Sequence, residues 1–86
     1  MGSSELRHWW EWELELSPHL LKRMLERGFT EVDLRGMMGA PRHVRKGPAS
    51  GRWVVETRHK RRSWEVVVEP DEEAVLLVVV TAYPVS

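Results

Sequence analysis

The sequence predicts an α+β domain: two short helices packed on a small, mainly antiparallel sheet, in the order β-α-α-β-β-β. Three observations predict it. Trp10 to Leu16 alternates apolar and acidic residues, the period of a half-buried strand. Ser17 to Gly28 reads as one helix with both ends marked. From Arg52 to Tyr83, valine-rich runs are joined by short turns, so successive strands lie antiparallel and adjacent.

Residues 1–8 show no periodicity and read as a frayed, disordered start or a cloning remnant, leaving 9–86 as one domain. In the first strand Trp10, Trp12, Leu14 and Leu16 point inward. Ser17 is the N-cap of the first helix, Pro18 takes the position where a missing N–H is harmless, and Gly28 permits a left-handed stop. Leu20, Leu21, Met24 and Leu25 form the stripe that docks on the core. Thr30 caps a second helix running to about Met38, with Asp33 completing an approximate capping box and Val32, Leu34 or the stem of Arg35, and Met38 facing inward.

From Arg42 to Gly51 the chain is a polar, basic loop with a brief extended piece at residues 43–45. Strands follow at Arg52–Arg58 and Ser63–Glu69, with Lys60-Arg61-Arg62 as the tight turn between them. Pro70 to Glu73 is a second turn. Ala74 to Tyr83 is apolar on both faces, which marks an interior strand that Pro84 stops.

Composition narrows the function. At 86 residues this is a small domain, near the size where a single core just suffices, and its five tryptophans help to fill one. It has no cysteine, so disulfides and thiolate metal sites are excluded, in keeping with a reducing cytosol. No apolar run reaches the roughly 20 residues of a membrane span, and no signal-peptide pattern opens the chain. The four histidines lack metal-ligand spacing, and no glycine-rich phosphate loop is present, so no metal or other cofactor is expected. Net charge is zero, yet residues 41–62 hold eight basic residues against Glu56 alone. A neutral protein with a basic middle binds polyanions through a patch rather than through its total charge.

Three groups carry candidate chemistry. His19, Arg23 and Arg27 repeat every four residues along one side of the first helix. An imidazole beside guanidiniums is what metal-free RNA cleavage requires: a proton carrier and cations for the transition-state charge. The alternative is a solvated face of ordinary surface pairs. The second group is the run Arg58-His59-Lys60-Arg61-Arg62, a hairpin tip suited to a nucleic-acid backbone, with Arg45 and Lys46 adding charge and Trp53 and Trp64 available to stack on a base. A solubilising turn is the plainer account. The third is Thr81 and Tyr83, which share one strand face and would orient a phosphate or a catalytic group, or simply mark where the strand leaves the core.

The pattern Ser17-x-His19-x-x-x-Arg23-Met24-x-x-Arg27-Gly28, with the ending Val79-Val80-Thr81-Ala82-Tyr83, resembles a family of small bacterial proteins related to the BrnT and RelE toxins. Those toxins fall within the barnase–EndoU–colicin–RelE group of RNase folds. The resemblance covers about Leu14 to Tyr83. It implies a RelE/BrnT-like fold, metal-independent endoribonuclease activity giving a 2′,3′-cyclic phosphate, a cytoplasmic site of action, and a neutralising antitoxin or immunity protein. It further implies that His19, Arg23, Arg27, Thr81 and Tyr83 carry the site. Arg58 and His59 are assigned to catalysis from local charge alone, and Arg45, Lys46, Lys60, Arg61, Arg62 and Trp64 to RNA binding. The rival reading is a non-catalytic nucleic-acid-binding or protein-interaction module on the same fold.

Overall fold

The computed structural model describes residues 7–85. The elements are β1 (Glu13–Leu16), α1 (Pro18–Arg27), α2 (Glu31–Met38), β2 (His43–Lys46), β3 (Trp53–His59), β4 (Arg62–Asp71) and β5 (Leu76–Val85). They build an α+β fold with one sheet in the order β1-β5-β4-β3-β2. β2 to β5 pair antiparallel, and β1 joins the far edge parallel to β5. The brief extended piece after α2 is thus a full edge strand, adding a fifth strand to the expected order.

Local signals set the helices. Ser17 Oγ accepts from the Leu20 N–H, and Gly28 closes α1 at φ 70° with its N–H on the Met24 carbonyl. Thr30 and Asp33 form a reciprocal capping box at the start of α2. The Ser17 hydroxyl also donates to the Val80 carbonyl at 2.8 Å, tying the start of α1 to a bulge in β5. There Val67 pairs with Thr81 but Val68 pairs with Val79, leaving Val80 as the extra residue.

Both helices lie on one face of the sheet. Their core includes Leu20, Phe29, Leu34, Met37 and Met38 against Val55, Trp64, Val66, Val68, Leu77 and Val79. The docking faces are narrower than expected. Leu25 is 88% exposed and Val32 78%, and Leu21 is also exposed. α1 meets the sheet through Leu20 and Met24, and α2 through Leu34, Met37 and Met38, the i, i+3, i+4 set of one face.

The tryptophan-rich start also departs from expectation. β1 begins only at Glu13, and residues 8–12 form turns rather than strand. Those turns bury Trp9 against Trp53, with ring centroids 5.9 Å apart, and the Arg7 guanidinium lies 4.5 Å from the Trp53 ring centre. Arg7 and His8 therefore contact the domain; His8 Nε2 is 2.9 Å from a Glu72 carboxylate oxygen. The rest of the expected disordered segment, residues 1–6, lies outside the described residues.

Pro84 does not stop β5, which runs to Val85, and Pro70 lies within β4 rather than in the turn after it. Each proline sits where its strand has outrun one neighbour: β3 pairs no further than Val68, and β1 no further than Val79. At such local edges no ladder hydrogen bond is lost on the unpaired side.

Candidate functional site

The face of the sheet opposite the helices carries no helix among the described residues, and the loop 47–52 lies over part of it. Strand alternation and register decide what it displays. One cross-strand row reads His43 on β2, Glu56 on β3, Glu65 on β4 and Tyr83 on β5, each in register with the next. The adjacent row reads Arg45, Val54, Val67 and Thr81. With strands about 4.8 Å apart, each row spans roughly 14 Å.

Hydrogen bonds join the two rows. Tyr83 donates its phenol proton to Glu65 Oε1 at 2.7 Å. Arg45 donates Nη2–H to Glu65 Oε2 at 3.0 Å and Nε–H to Glu56 Oε2 at 2.9 Å. Glu65 is the most enclosed of the three charged groups, its side chain 19% exposed against 41% for Arg45 and 40% for Glu56. The bond to Glu65, then partial burial, hold the Tyr83 phenol pKa above its ordinary value. The Glu56 bond raises the Arg45 pKa in turn, helped by the Glu65 charge.

Beside this cluster the loop 47–52 folds back over Val54 and closes a cavity of about 270 Å³, whose lining includes Arg52, Val67, Thr81 and Tyr83. The Gly47 N–H to Arg52 carbonyl bond of 2.8 Å pins the loop. Arg52 is itself paired with Glu69 through Nε at 3.1 Å. The result is a carboxylate held by a guanidinium and a phenol, an imidazole two strands away, and a threonine hydroxyl at the rim. Such a set can take up a proton, return one, and stabilise negative charge.

The family described as a domain of unknown function, DUF4258, matches over residues 16–84. The chain belongs to this family. The DUF4258 match runs from the end of β1 through β5 and so takes in both rows of the open face. No curated protein and no solved structure matches the chain.

The residues singled out from the sequence fall in three places. Tyr83, Thr81 and Arg45 come together on the open face. His19, Arg23 and Arg27 ride on α1, in the helical layer. The His19 side chain is exposed and makes no hydrogen bond or ion pair among the described residues, while Arg23 pairs with Glu26 on its own helix. Arg27 lies at the far end of α1, where it lines one cleft with His59, Lys60, Arg62 and Trp64 of the β3–β4 hairpin.

Arg58 and His59, neighbours in sequence, point to opposite faces of β3, and Arg58 donates to the Arg61 carbonyl at 2.9 Å. Arg45 and Lys46 divide in the same way. Lys46 turns to the Trp53 side, its Nζ 5.9 Å from that ring centre. Trp64 is 6% exposed, with Phe29 and His59 packed edge-to-face on it, so its ring offers no free face to a base, and Trp53 is covered by Trp9 and Arg7.

Glu56, Glu65 and His43 went unrecognised in the sequence. Their only signal is register, since alternation puts each on the polar side of its strand. Among the described residues no three His, Asp or Glu side chains converge to hold a metal ion, and no helix is long and apolar enough to cross a membrane.

Proposed function

We propose that the protein is a metal-independent endoribonuclease of the toxin type, acting at the open sheet face. One observation carries the reading: the row His43–Glu56–Glu65–Tyr83, braced by Arg45, lies on the sheet face opposite the helices, beside a cavity. The likeness of the β5 ending, with Thr81 and Tyr83, to the BrnT and RelE group supports the same reaction class, whereas the α1 residues of that likeness lie away from this face.

In this reading Glu65 takes the proton from the ribose 2′-hydroxyl. Its two oxygens accept from Tyr83 and Arg45, and a carboxylate oxygen retains a second lone pair for that proton. The 2′-oxygen attacks phosphorus, a 2′,3′-cyclic phosphate forms, and the bond to the 5′-oxygen breaks. The His43 imidazole acts as the general acid and supplies the proton to that leaving oxygen. Arg45 and the Tyr83 hydroxyl stabilise charge on the non-bridging oxygens. RNA in the cytoplasm is the substrate, and an antitoxin or immunity protein neutralises the activity by covering this face.

The test is cleavage of total RNA and tRNA in EDTA. Wild type gives products ending in 2′,3′-cyclic phosphate, and Glu65→Gln and His43→Ala each lose roughly 10²- to 10⁴-fold in rate, the usual contribution of a general acid or base. His19→Ala keeps cutting. Loss of cutting in His19→Ala with retention in Glu65→Gln would move the chemistry to α1. No cutting of any RNA by wild type, with salt-sensitive binding, would leave a binding module instead.

A further inference from the structure

A second group of unused side chains gathers where α1 ends against the tip of the β3–β4 hairpin. Arg27, His59, Lys60 and Arg62 line a cavity of about 160 Å³ together with Phe29 and Trp64. The cations Arg27, Lys60 and Arg62 have no carboxylate partner among the described residues. Glu26, which feels the Arg27 charge, is paired with Arg23 on α1, and the other acid nearby is Asp33, which feels the charges of His59 and Lys60. Its carboxylate is already committed to the α2 cap through the Thr30 N–H at 2.9 Å.

The independent sign of a ligand is the indole of Trp64, which is among the residues that line this cleft. Trp64 is 6% exposed and its Nε1–H is buried with no acceptor among the described residues. Tryptophan N–H groups at such depth ordinarily have an acceptor, because an unmet donor loses its hydration with nothing in return. His59 packs against the ring at 5.7 Å and Phe29 at 5.1 Å.

We propose that this cleft binds one phosphate group. Guanidiniums from Arg27 and Arg62 and the Lys60 ammonium approach its oxygens from separate directions, as a tetrahedral anion of multiple charge demands. The Trp64 indole N–H, buried without an acceptor, is the directional donor to one oxygen. The site is separate from the open face, and its occupancy does not depend on whether that face cuts RNA. Two sources share the chemistry: a free or terminal phosphate, and the phosphodiester backbone of a polynucleotide.

The experiment is a two-dimensional ¹H–¹⁵N titration of the Glu65→Gln protein, in which the proposed cleavage chemistry is disabled. The Trp64 indole cross-peak is identified by its loss in Trp64→Phe. Inorganic phosphate at constant ionic strength shifts that cross-peak saturably, and Arg27→Ala and Lys60→Ala each weaken binding by about tenfold or more. A shift with a short uridine oligoribonucleotide lacking a terminal phosphate identifies the polynucleotide backbone as the source. A shift with inorganic phosphate alone identifies a free or terminal phosphate. A Trp64 cross-peak that ignores both anions, or that moves equally with chloride, overturns the proposal.

Discussion

The β3–β4 turn holds its two central residues, Lys60 and Arg61, at φ 52° and 69°. His59 pairs with Arg62 across a two-residue loop. Two positive φ values match the turn that suits the twist of a hairpin, for which Asn-Gly is the favoured sequence. A long side chain in the left-handed region costs about 1–2 kcal/mol per residue. The double change Lys60→Asn with Arg61→Gly relieves much of that at both positions. It returns about 0.5–1 kcal/mol through the added freedom of glycine in the unfolded chain.

The net expectation is a gain of about 1–2 kcal/mol. For a domain of this size that is roughly 5–10 °C in Tm. The Arg61 carbonyl that accepts from Arg58 is backbone, so the substitution keeps that bond. Calorimetry and urea unfolding, each at low and at high salt, separate relieved backbone strain from relieved repulsion among basic side chains. A Tm equal to or below wild type at high salt, with an unchanged denaturant slope, would refute the strain argument. The same variant removes a cation from the hairpin cleft, so it should gain stability while losing phosphate affinity.

Three further outcomes follow from particular contacts. Thr57 is 1% exposed and shares its hydroxyl proton between the carbonyls of Met37 at 2.9 Å and Ala40 at 3.1 Å, so Thr57→Val strands the end of α2 and should destabilise by about 1–3 kcal/mol in urea unfolding. Tyr83 is the only tyrosine, so phenolate absorbance reads it alone: it should titrate above its ordinary value and fall back in Glu65→Gln. Because the folded-state pKa is raised, the Tyr83 contribution to stability is fully present below the unfolded pKa and is lost as pH rises through the folded one. Asp33 has the opposite sign: the Thr30 N–H bond lowers its pKa, so its contribution is present above the unfolded value and is lost as pH falls through the lower folded value. Asp33→Asn should flatten that acid limb in a pH series of thermal melts.

How much could be read in advance differs by element. Both helices could be located because their signals are local: Ser17 bonds the N–H three residues on, Thr30 and Asp33 bond each other, and Gly28 turns left-handed. Periodicity also showed that each helix has an apolar stripe. It could not show which sector of that stripe meets the sheet, so Leu25 and Val32 were expected inside and lie in solvent. Trp9 escaped notice for a similar reason. It is buried by a turn that folds back onto Trp53, and no repeat in the chain marks that return.

Alternation by itself determined that three antiparallel strands follow two helices, and that Thr81 and Tyr83 share a face. Caps, turns and the period of two act within a few residues and leave their mark on consecutive letters. The tertiary structure decided which groups meet. His43, Glu56, Glu65 and Tyr83 are scattered over half the chain, and only strand register sets them in one row. Arg27 shares a cleft with His59 and Lys60 only because α1 ends near the tip of a distant hairpin. Register and docking are settled by burial summed over the whole core, and no short spacing in a sequence records that sum.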